Sequence, residues 1–358
     1  MAVDFSNTLI VAISATALFD LSESERYFSQ LLQKDPKNAL QQFHDYMIAN
    51  ESVPLTAGVG YPLIKALLKL NEYDDGKDYH DESPLVEVVI VSKSSPDTGV
   101  QVLNSLRSHG LNITRSAFIS GEPVVKYIAD FKVDLFLTTN LDDAQMVTDA
   151  SVCACALLDA TPVNAFELDS NQLRIAFDGD AVLFDGAGEL MYQQQGLKAF
   201  HDYEDKMSDS PMEKGPYADF LIKLSKLQQR LPITQDKHPV QIALVTARNA
   251  PADLRAIKTL RAWGVTVDMA FFLGGLDKTH VLKTFAPHIF FDDSIRHIER
   301  ARGFVPSGLV PYRSDSGLNT RLNAVHQLTK CDQFEHKLFK TKTSTTKTLT
   351  NVKPSKNK

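Results

Sequence analysis

Arg174-Ile-Ala-Phe-Asp178-Gly-Asp180-Ala-Val-Leu-Phe-Asp185-Gly-Ala-Gly188 is the stretch on which the fold is read. An apolar run breaks at two carboxylates separated by one glycine, resumes at Ala181-Val-Leu-Phe184 and ends in glycines, the pattern of a buried strand that stops at its acids. At the tip of a parallel strand, Asp178 and Asp180 would lie on the carboxyl edge of an α/β sheet, where open sheets bind their ligands. Carboxylates crowded there repel one another unless a proton or a cation intervenes. A hard divalent ion such as Mg2+ meets that demand and keeps coordination positions for water and a substrate phosphate. An ordinary acidic turn is the plainer account of the same residues. An EF-hand calcium loop is excluded, because Val182 and Leu183 stand where it needs an oxygen ligand and a glycine.

Outward from this stretch the chain repeats itself. At an offset of 154 positions, Val91-Ser-Lys-Ser94 lies over Val245-Thr-Ala-Arg248, and Leu106-Arg-Ser-His-Gly110 over Leu260-Arg-Ala-Trp-Gly264. The same offset sets Ala117-Phe-Ile-Ser-Gly121 on Phe271-Phe-Leu-Gly-Gly275, and Leu135-Phe-Leu-Thr-Thr-Asn140 on Ile289-Phe-Phe-Asp-Asp-Ser294. An offset of 165 matches Ala17-Leu-Phe-Asp20 with Val182-Leu-Phe-Asp185.

Each half reads as strand, helical insert, strand, helix, strand, helix, strand, which predicts βαβ units and a mostly parallel sheet. The helix after Thr246 is expected to begin near Pro251 with Leu254, Ile257 and Leu260 inward, its counterpart showing Val100, Leu103 and Leu106. Ile13 and Ala15 fall opposite Asp178 and Asp180, and Thr138 and Thr139 opposite Asp292 and Asp293. The acids are thus confined to the second half. Residues 1–165 are expected to be a degenerate Rossmann-like half serving packing, substrate contact or regulation, and 166–328 the catalytic half. A helical insert over 189–239 could cover the site as a lid or be a plain crossover. The Lys/Thr/Ser-rich tail, 329–358, has too few apolar residues to order itself.

Composition bounds the function. The 43% hydrophobic and 23% charged residues among 358 are ordinary for a globular chain with room for two fused halves. A formal net charge of −6 argues against a nucleic-acid partner. Three cysteines form no disulfide framework, and Cys153-Ala-Cys155 reads as small core residues in a reducing compartment. With no basic leader ahead of the short apolar run Leu9–Leu18, a cytoplasmic chain without a membrane partner is expected. Oligomeric state is left open.

Three elements follow the acidic strand. Thr246 ends an apolar strand and leads into Ala247-Arg248, a turn whose backbone donors suit an anion. Lys278 follows the Gly274-Gly275 turn, and Asp292-Asp293 end the strand His288-Ile-Phe-Phe291. Taken singly, each is as readily a cap or a solvated charge. In the order Asp-x-Asp, Thr, Lys, Asp-Asp they resemble the haloacid dehalogenase superfamily of phosphotransfer enzymes. More narrowly, Phe177-Asp-Gly-Asp-Ala-Val-Leu-Phe184, Ala270-Phe-Phe-Leu-Gly-Gly275 and Phe290-Phe-Asp-Asp-Ser294 look like the cytosolic 5′-nucleotidase I family. Val91-Ser-Lys-Ser-Ser-Pro-Asp-Thr-Gly99 and Val133-Asp-Leu-Phe-Leu137 extend the likeness into the first half, so that it covers roughly residues 8 to 312.

The resemblance implies a haloacid dehalogenase-like parallel sheet with a helical cap, and Mg2+-dependent hydrolysis of nucleoside 5′-monophosphates, AMP being typical, through an aspartyl-phosphate. It makes Asp178 the nucleophile and Asp180 the general acid and base. Thr246, Ala247, Arg248 and Lys278 would hold the phosphate, and Asp178, Asp180 through its backbone carbonyl, Asp292 and Asp293 the metal, Asp293 as an outer ligand or as orienter of Lys278. A phosphosugar phosphatase of the same superfamily and a non-catalytic nucleotide-binding regulator are the alternatives. Two similar halves also suggest a nucleotide effector in a cleft between them, and Tyr192, Phe200, Tyr203 and Tyr217 of the insert are candidate base contacts.

Overall fold

Leu173–Phe177 forms the strand expected ahead of the acids, with all but Arg174 buried. Its apolar residues do not alternate with polar ones because both faces of the sheet are covered. The computed structural model describes residues 5, 7–73, 84–159, 172–232 and 238–319, and among them ten strands make one sheet. They are β1 (Leu9–Ile13), β2 (Val86–Ser92), β3 (Arg115–Phe118), β4 (Leu135–Thr138), β5 (Ala154–Leu158), β6 (Leu173–Phe177), β7 (Val240–Thr246), β8 (Met269–Phe272), β9 (Ile289–Asp292) and β10 (Ser307–Leu309). The boundary between the expected halves and the tail fall outside the described residues.

The strand order is β3-β2-β1-β4-β5-β10-β9-β6-β7-β8. Pairing is parallel within each half, and the halves join where β5 runs antiparallel to β10, with Leu158 beside Gly308 and Leu157 beside Leu309. The repeat predicts four strands per half. The fifth in each is an Ala/Cys-rich segment or a three-residue piece containing Gly308, both without a strong strand pattern. Because the seam is antiparallel, the carboxyl edges of the two halves lie on opposite edges of the sheet. The halves meet strand to strand rather than across a cleft.

One face of the sheet carries an apolar core continuous through both halves, from Leu9, Val11 and Ile64 to Phe177, Tyr217 and Phe291. The other face carries two separate cores, around Ile10, Phe136 and Val147 in the first half and around Val245, Phe285 and Phe290 in the second. Burying such side chains contributes about 1.5–3 kcal/mol each, so the shared face ties the halves into one unit. Residues 1–313 form that unit, and 314–319 are a short turn-rich stretch belonging to the next. Among the described residues no helix is long and apolar enough to cross a membrane.

Hydrogen bonds correct the alignment of the repeat. Ser14 N–H donates to Leu137 O (2.9 Å) as Asp178 N–H donates to Phe291 O (2.8 Å), so Ser14 and Thr16, not Ile13 and Ala15, stand opposite the two acids. The offset of 165 still holds further on, where Phe19 bridges Ala57 as Phe184 bridges Lys214. One extra residue is absorbed between them: Phe19 N–H closes a turn on Ala15 O, whereas Phe184 N–H closes a wider one on Gly179 O, with Ala181 looped out at φ 59°. A gapless alignment cannot show that insertion.

The crossover helices also differ from expectation by one face. Ala252–Ala262 buries Arg255, Ala256, Thr259 and Leu260 and leaves Leu254 half exposed; Val100–Ser108 buries Gln101, Val102, Ser105 and Leu106. The polar members face inward because each satisfies a backbone group. Thr259 Oγ1 accepts from Met212 N–H (3.0 Å) and Ser105 Oγ from Leu55 N–H (2.9 Å). Cys155 is buried in β5, as read from the sequence.

The insert divides in two. Its helix Ala218–Arg230 presses Phe220, Leu221 and Leu224 into the shared core, so this part is a crossover. Helix Ala187–Lys206, bent at Gly196, rides nearer the acids. Between them Gly215 N–H bonds Leu183 O and Tyr217 N–H bonds Val182 O, holding the wide turn down. A Cβ on Gly215 would come within 2.3 Å of Phe184 O. We therefore expect Gly215→Ala to lower stability by about 2 kcal/mol or more, against about 0.5 or less for Gly303→Ala, where a Cβ meets open space. Urea midpoints of the two variants measure this; equal midpoints would show that the turn tolerates displacement.

Candidate active site

Four strand ends, of β6, β7, β8 and β9, bring the predicted residues to one edge. Asp178 follows β6, Thr246 closes β7, Lys278 lies beyond the glycine turn after β8, and Asp292 closes β9. Lys278, buried beneath the edge, sits between two carboxylates: its Nζ is 2.8 Å from Asp178 Oδ1 and 2.7 Å from Asp292 Oδ2. Asp292 is further held by Ser294 N–H (2.8 Å) and by His297 Nδ1, 3.1 and 3.0 Å from its two oxygens. The loop Asp178-Gly179-Asp180 runs directly against Thr246, whose Oγ1 lies 3.1 Å from where a Cβ on Gly179 would be. A glycine between the acids allows that approach.

The electrostatics follow from crowding. Burial raises the pKa of Asp178 to about 6, Lys278 opposing the rise and Asp292 adding to it. For Asp292 burial also acts upward, but Lys278 and His297 outweigh it and hold the group below the usual carboxylate range. Asp293 is pushed well above that range by burial and by the charges of Asp292 and Asp178. Burial works against the Lys278 ammonium, yet its two carboxylate partners keep its pKa above the ordinary value.

A family model for 5′-nucleotidases matches residues 1–317. The chain belongs to the 5′-nucleotidase family. It is 32% identical over 299 residues to human cytosolic 5′-nucleotidase 1B, a match covering 83% of this chain and 47% of that protein. The chain thus spans about half the length of that relative.

Within this 5′-nucleotidase-family chain the expected metal residues separate into two sets. Asp178 and Asp292, together with His297, each offer a ligand atom within 4.8 Å of the others. The side chain of Asp180, whose backbone carbonyl is the expected ligand, is gripped by Arg248, whose Nε and Nη2 lie 2.8 and 2.6 Å from its two oxygens, and Asp293 accepts from the Tyr312 hydroxyl. The guanidinium of Arg248 is buried and points at Asp180 and Glu204, while its backbone N–H reaches Thr246 Oγ1 (3.2 Å). Ala247 is exposed, its carbonyl accepting from Gly275 N–H (3.1 Å). Among the candidate aromatics, Tyr217 is wholly buried against Phe177 and Phe291, Phe200 packs over Arg248, Tyr203 over Arg255, and Tyr192 is half exposed.

His297, Glu204, Arg255 and Tyr312 carry no sequence signal of their own. Glu204 is one of four acids in a polar helix, yet it is the one buried, between Arg248 and Arg255, the latter 2.9 Å away. It links helix Ala187–Lys206 to Asp180 through Arg248. We expect Glu204→Gln to cost about 3 kcal/mol, because buried Arg255 loses its carboxylate partner and buried Arg248 keeps only Asp180. Chemical denaturation tests this, and a loss under about 1 kcal/mol would show the network to be well hydrated.

Proposed function

We propose that the protein is a Mg2+-dependent 5′-nucleotidase that hydrolyses nucleoside 5′-monophosphates, AMP foremost, through an aspartyl-phosphate on Asp178. The observation that carries this is the convergence of Asp178, Asp292 and Lys278 beside Thr246 at one sheet edge. Family membership supports hydrolysis of a 5′-monophosphate, and the resemblance of the motifs supports AMP and the covalent route.

The residues fit a hard divalent cation. Three carboxylates, Asp178, Asp292 and Asp293, are buried near one ammonium, which pairs with the first two, and the pKa values of Asp178 and Asp293 are raised first by burial and then by the neighbouring carboxylates. Asp178 and Asp292 would hold the ion, with His297 fixing the orientation of Asp292. Bound there, Mg2+ would withdraw charge from the phosphoryl oxygens.

In the reaction, a carboxylate oxygen of Asp178 attacks phosphorus and the bond to the 5′-oxygen breaks. Lys278 compensates charge on the phosphoryl group, and the Thr246 hydroxyl with the turn after it binds phosphate oxygens. Asp180 gives a proton to the departing 5′-oxygen and then takes one from the water that opens the aspartyl-phosphate. To do so Asp180 rotates out of the Arg248 fork; its side chain is 19% exposed, so it has an open side toward which to turn. Arg248 and Glu204 set its resting position.

A panel of nucleoside and sugar monophosphates with Mg2+, read as released phosphate, tests the assignment. We expect nucleoside 5′-monophosphates to be preferred and Asp178→Asn to lose activity on the order of a thousandfold or more while keeping its unfolding midpoint. Asp292→Ala should raise the Mg2+ concentration needed for half-maximal rate. Substantial turnover by Asp178→Asn, or preference for a phosphosugar, would overturn the assignment.

A further inference from the structure

The first half repeats the scaffold of this site with different chemistry. Ser14 and Thr16 stand where the second half has Asp178 and Asp180. Ser92 matches Thr246, and each hydroxyl accepts the N–H two residues on, from Ser94 and from Arg248, at 3.2 Å in both cases. Thr138 matches Asp292: it accepts from Asn140 N–H at 3.1 Å, where Asp292 accepts from Ser294 N–H at 2.8 Å. The turn that follows is also kept, since Gly121 N–H bonds Lys93 O (2.8 Å) as Gly275 N–H bonds Ala247 O (3.1 Å). Val124 takes the place of Lys278.

These residues bound a cavity of about 500 Å³ at the carboxyl edge of β1, β2 and β4. Its lining is rich in hydroxyls, several in contact: Thr16 Oγ1 is 2.6 Å from Thr139 Oγ1, and Ser92 Oγ donates to Ser94 Oγ at 3.1 Å. Lys93 pairs with the buried Asp143 at 2.6 Å, leaving Glu25, exposed at the rim, as the other ionisable lining residue.

We propose that this cavity is a second ligand site that binds a phosphate monoester without a metal ion and without cleaving it. In the second half an anion meets several carboxylates, and a cation must neutralise them before it can bind. In the first half those positions carry hydroxyls, which donate to phosphate oxygens and impose no such requirement. The backbone turn beside Ser92 is retained. The nucleophile is gone, because a serine in place of Asp178 has no base within its hydrogen-bonding set: Ser14 Oγ contacts Thr16 Oγ1 (3.2 Å) and Ala17 N–H. An ester held here stays intact, on the edge of the sheet opposite the catalytic acids. The choice of phosphate as ligand rests on reading the second half as a phosphoryl-transfer site.

The test is calorimetric titration of the full chain in EDTA with AMP and, separately, with inorganic phosphate. We expect saturable AMP binding that phosphate displaces and that Asp178→Asn leaves in place. Thr16→Val, nearly isosteric, should weaken it about tenfold through loss of one hydrogen bond to an anion. Ser94→Glu, at a part-exposed position, should abolish it through like charge and decides the matter if Thr16→Val fails to fold. Absence of saturable binding in EDTA, binding indifferent to both first-half substitutions, or AMP binding that phosphate does not displace would overturn the proposal. Phosphate release in Mg2+ is read independently, so failure of the catalytic assignment is distinguishable from failure of this one.

Discussion

The arrangement depends on one buried ammonium held between two buried carboxylates that come from opposite ends of the second half. Asp178 and Asp292 are 114 positions apart, and parallel pairing of β6 with β9 brings their strand ends side by side. Without Lys278 that proximity would be strongly unfavourable, because like charges in a low-dielectric interior cannot both remain ionised. Lys278 relieves part of the repulsion and leaves an excess of negative charge. That residual excess is the physical case for a cation at this edge.

Around the clamp, the remaining polar groups divide between holding the clustered carboxylates and holding their holders. His297 and Ser294 N–H fix Asp292; Arg248 fixes Asp180; Glu204, reaching in from the bent helix of the insert, fixes Arg248. The insert is therefore part of the site on one side and part of the core on the other. Its second helix packs into the face shared by both halves, which ties the position of the wide turn at Gly179–Leu183 to the integrity of the whole sheet.

Much of this was legible in the sequence. The apolar run ending at Asp178, the recurrence at 154 positions and the order of Thr246, Lys278 and Asp292 each follow from local pattern, and the sheet realises them. What was not legible depends on contacts between distant segments. The single-residue insertion at Ala181 shifts the true counterparts of the acids to Ser14 and Thr16, and a backbone hydrogen bond, not composition, reveals it. The inward faces of the crossover helices include Arg255 and Thr259, polar residues that periodicity assigns to solvent but that satisfy buried groups here. His297 and Glu204 gain meaning from their partners alone.

On the proposed assignment, Asp178 and Asp292 share one divalent cation beside Lys278. A crystal grown with Mn2+ in place of Mg2+, with anomalous differences measured at the manganese edge, tests it most directly. One strong peak within coordination distance of a carboxylate oxygen of each aspartate is expected. A peak elsewhere, or none at a Mn2+ concentration that supports turnover, would contradict it.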